Sequence, residues 1–229
     1  MKGRDLNLRG RAAVGSLGLV MSLSLAPCGA QAGILRDVMV SVGLAKPPPT
    51  APALGSTGPE TLPRQGFACC DLHYNGDWIN DGNYAELPMV AAGTPIEVLS
   101  YGFHRAYVKI DGKPMRLGHE YGRSQETLQV WVGKIVVNDD PRPRITTYAP
   151  TVQAAIREGK VMVGMTREQA ITAIGYPLTS ENGSLNDPMW RIWRSTRGEY
   201  QLNFGTDGRV KSITGDDSVT QLVTYRPGG

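Results

Sequence analysis

Val163-Gly164-Met165-Thr166-Arg167-Glu168-Gln169-Ala170-Ile171-Thr172-Ala173-Ile174-Gly175-Tyr176-Pro177 decides how the second half of this chain is read. Thr166 followed three residues later by Gln169 is a capping box, in which two side chains satisfy helix N–H groups that otherwise lack partners. Ala170, Ile171 and Ile174 then recur at helical spacing. Gly175 offers a backbone able to end the helix and Pro177 prevents its continuation. The stretch predicts a helix of two turns and fixed length.

Working outward, a second short helix is expected just before it. Val152, Ala155 and Ile156 share helical spacing between Thr151, a candidate N-cap, and Gly159, a stop. After it come three strand signals. Met189 to Arg194 holds Trp190 and Trp193, Glu199 to Phe204 alternates Tyr200, Leu202 and Phe204, and Arg209 to Thr214 follows Gly205-Thr206-Asp207-Gly208. That four-residue connection suits a hairpin. Two helices and a three-stranded antiparallel meander would make a two-layer α+β sandwich, each layer covering the apolar face of the other.

The middle of the chain, residues 67–140, reads as β-rich. Ile96, Val98 and Ser100 alternate with Glu97 and Leu99, and Ala106, Val108 and Ile110 alternate with Tyr107 and Lys109. Asp111-Gly112 supplies a tight turn. Leu128, Val130 and Val132 form a further alternating run around Trp131, and Ile135-Val136-Val137 a buried one. Short strands at this spacing predict a small SH3-like β-barrel. Asn138-Asp139-Asp140-Pro141-Arg142-Pro143 is expected to break regular structure, because each proline removes a donor and restricts the residue before it.

The front end reads as an export signal, residues 1–32. Lys2, Arg4, Arg9 and Arg11 outweigh Asp5, and the uncharged run from Ala12 to Ala26 is shorter than the roughly 20 apolar residues a membrane helix needs. Two processing sites compete. Leu25-Ala26-Pro27-Cys28 resembles a lipobox that would leave Cys28 acylated, with Pro27 where a small residue is usual. Ala30-Gln31-Ala32 is an A-x-A site that would release a soluble protein beginning at Gly33. Residues 34–44 have the pattern of a short amphipathic helix, and residues 33–66 as a whole, with Lys46-Pro47-Pro48-Pro49, read as a flexible linker.

The 229 residues carry a formal charge of +3, 41% hydrophobic and 20% charged residues, 28 Gly and 16 Pro. Cleavage before Cys28 removes four basic residues and one acidic one, which leaves a mature chain of about zero charge. Nucleic acid is therefore not an expected partner.

Gly164-Met165-Thr166, Gly175-Tyr176-Pro177, Trp190 with Trp193, and Phe204 with Asp207-Gly208-Arg209-Val210 resemble, in that order, the SmpA/OmlA (BamE-like) family of outer-membrane assembly lipoproteins. The resemblance covers roughly Thr151 to Gly215, under a third of the chain. The expected fold class is α+β: a signal peptide and Pro-rich linker, an SH3-like barrel, a BamE-like αα-βββ sandwich over residues 148–215, and a tail over 216–229. The resemblance implies a non-catalytic accessory factor on the periplasmic side of the cell outer membrane. Its partners would be envelope proteins, among them the β-barrel assembly complex, with lipid contact through an acyl anchor and no cofactor. The same two-layer fold resembles secreted inhibitors, so a soluble periplasmic inhibitor or ligand-binding protein is the alternative.

Candidate partner-binding residues are Trp193, Arg191, Arg194, Met165 and Tyr176, because Trp and Arg anchor interfaces. Alternation along the strand predicts one tryptophan in the core and the other on the open face. Cys69, Cys70, Asp71 and His73 hold metal-ligating atoms but lack the C-x-x-C or H-x-x-x-H spacing of a zinc site, so no metal is expected. No family signature surrounds a cysteine–histidine pairing of Cys69 or Cys70 with His73 or His119, nor does a carboxylate pair suggest an enzyme of the cell wall. Neighbouring cysteines sit about 3.8 Å apart at Cα, below the usual disulfide range of roughly 4.4–6.8 Å, so they rarely bond to each other and, unless the bond is strained, are expected to stay reduced or pair between chains. The histidines are expected on strand edges or loops, and Asn75 to Tyr84 as an ordinary polar loop.

Overall fold

The computed structural model describes residues 61–228, and these fall within one compact unit. Cys28, both processing sites, the 34–44 helix and the linker as far as Glu60 lie outside the described residues. The fold is mixed α+β, with five helices and three sheets among the described residues.

The first half contains β1 (Arg64–Ala68), β2 (Leu72–His73), β3 (Trp78–Asn80), β4 (Met89–Val90), β5 (Pro95–Tyr101), β6 (Arg105–Ile110) and β7 (Lys113–Gly118), then α1 (Leu128–Ile135) and β8 (Val136–Val137). Six strands form a sheet in the order β3-β7-β6-β5-β1-β8, antiparallel except for the parallel β3–β7 pair; β2 and β4 form a ribbon. Ala106, Val108 and Ile110 are buried on alternate positions of β6 as expected. Asp111 and Gly112 both take positive φ, the backbone that a two-residue hairpin between β6 and β7 needs. On β5 the alternation holds through Ile96 and Val98, but a register shift between Val98 and Ser100 leaves Ser100 exposed.

Several expectations are corrected here. Leu128 to Val132 is a helix. Leu128, Trp131, Val132 and Ile135 form the buried i, i+3, i+4, i+7 stripe of α1, and the Thr127 hydroxyl accepts from the Val130 N–H at its start. The apparent alternation came from Val130, which is exposed. Strand β1 begins at Arg64, inside the stretch assigned to the linker, because it pairs with both β5 and β8. Asn75 to Tyr84 is no ordinary polar loop: it contains β3, with Ile79 fully buried and Asp81 and Asn83 buried behind it. The histidines do lie where expected, His73 on the two-stranded ribbon and His104 and His119 in connections, with His73 and His119 buried. Cys69 and Cys70 are joined by a disulfide and packed in the core, against the expectation of reduced thiols; their neighbouring Cα atoms, 3.8 Å apart, do not prevent the bond.

The second half opens with α2 (Arg142–Ile145), one turn inside the proline-rich breaker, where prolines occupy the helix start and no N–H partner is needed. α3 (Pro150–Arg157) follows, and its N-cap is Ala149 rather than Thr151, since Pro150 fits the first turn. α4 (Arg167–Ile174) carries both bonds of the capping box: the Thr166 hydroxyl accepts from the Gln169 N–H at 3.2 Å, and Gln169 Oε1 from the Thr166 N–H at 2.9 Å. Gly175 ends it at φ 79° and ψ −178°, a backbone for which glycine is suited. β9 (Met189–Ser195), β10 (Gly198–Phe204) and β11 (Val210–Gly215) make an antiparallel sheet in the order β11-β10-β9. Residues 216–229, expected as a tail, contain α5 (Asp217–Val223), because Val219 and Val223 bury one side of it against the sheet.

Among the described residues the buried apolar side chains gather in two clusters. One lies under the six-stranded sheet and α1. The other joins Val152 and Ile156 of α3, Ala170, Ala173 and Ile174 of α4, and Trp190, Tyr200, Leu202 and Phe204 of the three-stranded sheet. Trp190 meets Phe204 edge-on at 4.6 Å between ring centres, an arrangement that adds to simple area burial.

Candidate interaction surface

β9 places Trp190 and Ile192 inward and Met189, Arg191 and Trp193 outward, so one tryptophan is fully buried and the other half-buried on the open face. Trp193 faces Glu199 across the strands and Arg191 faces Gln201. Arg191 is exposed and reaches two carboxylates, Glu181 at 3.3 Å and Glu199 at 3.6 Å. Exposed pairs of this sort hold geometry more than they add stability.

The outer edge of β9 is closed. Asn182 donates from Nδ2 to the Arg191 carbonyl at 3.0 Å and accepts at Oδ1 from the Arg191 N–H at 2.8 Å, standing in for a neighbouring strand. Further along, the Glu86 N–H donates to the Arg194 carbonyl at 3.2 Å. A partner that adds a strand to this edge is therefore excluded where these groups are engaged. What the open face leaves accessible is side chains.

The structure brings Arg191 and Trp193 together and sets the other three candidates apart. Arg194 lies 3.5 Å from Glu86 and ties the sheet to the first half. Met165 is fully buried in the second core, so its side chain is closed to any partner, which corrects its assignment as a contact residue. Tyr176 packs against the first core with Lys134 5.4 Å from its ring centre, and burial pushes its hydroxyl pKa up.

Between the halves runs a buried polar seam, in which Asp71 and His73, singled out in the sequence only for their metal-ligating atoms, serve the packing instead. Asn83 Nδ2 donates to the carbonyls of Ile174 at 2.7 Å and Asp71 at 3.0 Å, while its Oδ1 accepts from the His73 N–H at 2.6 Å. The Asp71 N–H donates to the Thr172 carbonyl at 3.0 Å. Asp71 Oδ1 accepts from the Ala92 N–H at 2.9 Å, but Oδ2 is buried without a hydrogen-bond partner. Burial pushes its carboxyl up to about 7, against the smaller opposing pull of the Ala92 bond. Burial likewise lowers the His73 pKa. The side chains of Asp71 and His73 are both sealed from solvent, so the seam offers no reacting group to a substrate.

A second polar knot lies beneath the β7–α1 connection. Asp81 Oδ2 is 3.0 Å from His119 Nδ1, and its carboxylate accepts from the N–H groups of Glu120, Tyr121 and Gly122. The His119 ring stacks on Trp131 at 5.3 Å. The sequence places Asp81 in a polar run and gives no sign of this burial, because its partners are backbone N–H groups some 40 residues away. Among the described residues no three His, Cys, Asp or Glu side chains converge as a metal site.

Sequence reading also missed the tip of the β5–β6 hairpin, where Phe103 stands 90% exposed beside His104. No helix among the described residues is long and apolar enough to cross a membrane. Comparison of the chain with protein-family models, curated proteins and solved structures finds no match.

Proposed function

We propose that this chain is a non-catalytic envelope protein, an accessory factor for outer-membrane protein assembly or envelope integrity that acts by binding other proteins. In this reading the first half is an SH3-like module, the second is a BamE-like module of the SmpA/OmlA kind, and acylation of Cys28 anchors the mature chain to the periplasmic side of the outer membrane.

The observation that carries the reading is the order of parts in the second half. A capping-box helix stopped at Gly175, a strand with Trp190 inward and Trp193 outward, and a meander turned at Asp207-Gly208 follow one another as the motif resemblance anticipates. The open face then offers Trp193 beside Arg191, side chains of the kind that anchor protein interfaces.

Affinity purification of the full chain from intact membranes tests this. Recovery of the β-barrel assembly subunits, lost on Trp193→Ala, is the expected outcome; recovery of none of them, or recovery unaffected by that substitution, counts against it. The Ala30-Gln31-Ala32 motif favours the alternative of a soluble periplasmic inhibitor or ligand-binding protein. Mass spectrometry of the mature N-terminus separates the two: acylated Cys28 supports the anchored form, free Gly33 the soluble one.

A further inference from the structure

Phe103 occupies a tight connection between β5 and β6, closed by the Gly102 N–H donating to the Arg105 carbonyl at 2.7 Å. Its ring centre lies 4.1 Å from that of His104. The His104 carbonyl in turn accepts from the His119 N–H at 3.1 Å. Phe103, His104, Arg105, Tyr107, Glu120 and Arg123 line a surface depression of about 310 Å³. The far wall is as firmly held as the tip, because the Glu120, Tyr121 and Gly122 N–H groups all donate to the buried Asp81 carboxylate. The depression is thus built on fixed backbone at both sides.

Its charge is lopsided. Arg105 and Arg116 lie over the Trp78 ring at 4.6 and 5.0 Å, and Asp77 holds Arg116 at 2.6 Å. Arg105 and Arg123 form no ion pair among the described residues. A guanidinium already packed on an aromatic face loses less freedom when it takes a carboxylate, and its planar fork matches that anion in two hydrogen bonds. Phe103 and Tyr107, the latter 46% exposed, supply apolar area beside these cations. A phenylalanine ring left this open is apolar area that a partner can bury.

The volume is near the lower end of roughly 300–1,000 Å³ for ligand sites, enough for a few side chains and too small for a folded surface. A nucleic-acid backbone is disfavoured because Glu120 lines the same depression. We propose that this depression docks an acidic peptide segment of a partner protein, its carboxylates on Arg105 and Arg123 and an apolar side chain against Phe103 and Tyr107. The proposal rests on the reading of the chain as a protein-binding factor and names the kind of segment it takes.

Fluorescence anisotropy of the purified full chain tests it, with a labelled peptide repeating Glu-Phe-Glu-Ser, a counterpart with Lys for Glu, and one with Ser for Phe. The first should bind saturably and both controls should not. Phe103→Ser and Arg123→Glu, both at exposed positions, should each weaken binding about tenfold or more while leaving the melting temperature in place. Affinity in either variant equal to that of the natural protein, equal binding of the lysine peptide, or a preference for single-stranded DNA or phosphatidylglycerol vesicles through the same residues overturns the proposal. Peptide binding through Arg123 and Phe103 without recovery of envelope proteins from membranes removes the envelope role and keeps the docking site. The converse pattern removes the docking site alone.

Discussion

Asp71→Asn should abolish a loss of stability that the natural protein suffers as pH rises. The folded carboxyl titrates at about 7 and the unfolded one near its ordinary 3.8, because burial penalises the anion and Oδ2 has no hydrogen-bond partner. The folded state therefore holds its proton to higher pH than the unfolded state does. Stability from this group is complete below 3.8, falls by about 1.4 kcal/mol per pH unit between the two values, and levels off above about 7, some 4 kcal/mol lower. Across pH 5 to 8 the fall is about 2.5 kcal/mol. Asparagine keeps an oxygen for the Ala92 N–H and cannot ionise. Its amide N–H groups would be left buried without an acceptor, costing about 1–3 kcal/mol at every pH, so the informative quantity is the slope and not the level. His73 works in the opposite sense. Its lowered pKa contributes stability present above 6.5 and lost as pH falls through the folded value, but that term is shared by both proteins and cancels between them. Urea unfolding of each protein at pH 5, 6, 7 and 8 measures the difference. A gap between natural protein and variant that stays constant across this range would refute the assignment of a raised pKa to Asp71.

Thr166→Ala removes the hydroxyl that accepts from the Gln169 N–H and should lower stability by about 1 kcal/mol, read from the urea midpoint, with Thr166→Ser restoring most of it. Trp190→Ala opens a cavity in the second core and should cost about 3–5 kcal/mol, whereas Trp193→Ala on the open face should cost under about 1 kcal/mol; equal losses by calorimetry would mean the faces of β9 are assigned the wrong way round. Gly175→Ala should cost about 1–3 kcal/mol, since its φ of 79° strains any L side chain and the added methyl would meet the Asn83 amide. An unchanged thermal midpoint would rule out that backbone at the end of α4.

What the sequence made legible was whatever local chemistry determines. The capping box, the turn at Asp111-Gly112, the hairpin at Gly205 to Gly208 and the inward Trp190 each depend on residues within a few positions of one another, and each lies where its pattern placed it. Period was misread at α1, where alternating Leu128, Val130 and Val132 concealed a helical stripe that only Ile135, one turn further on, completes. The breaker at Asn138 to Pro143 was overread, since proline stops a helix only where its missing N–H is needed. β3 and α5 were invisible for a different reason. A three-residue strand flanked by polar groups and a helix with two buried valines carry too little apolar signal, and both are held by tertiary contacts. The candidate site fared in the same way. Arg191 and Trp193 follow from alternation, but the burial of Met165 and the exposure of Phe103 depend on which elements cover them, and periodicity does not report that.

The seam joins the two sides of the proline-rich break at Asn138 to Pro143 within one compact unit. A helix leaves its last carbonyls without intrahelical donors, and α4 ends at Ile174 in the interior, away from water that might serve them. The Ile174 carbonyl is met by Asn83 Nδ2 and the Thr172 carbonyl by the Asp71 N–H, both from the first half. In return, the Asp71 N–H just before β2 and the Asn83 amide find their acceptors in carbonyls of α4, in the other half. Each half thus satisfies polar groups that the other buries, and separating them would trade these bonds for bonds to water, a net loss of about 0.5–1.5 kcal/mol for each. The motif resemblance spans the helices and meander of the second half, yet the end of α4, its most diagnostic element, is completed by residues outside that span. The first half thus completes the end of α4, and β9 is tied to it through Glu86 and Arg194.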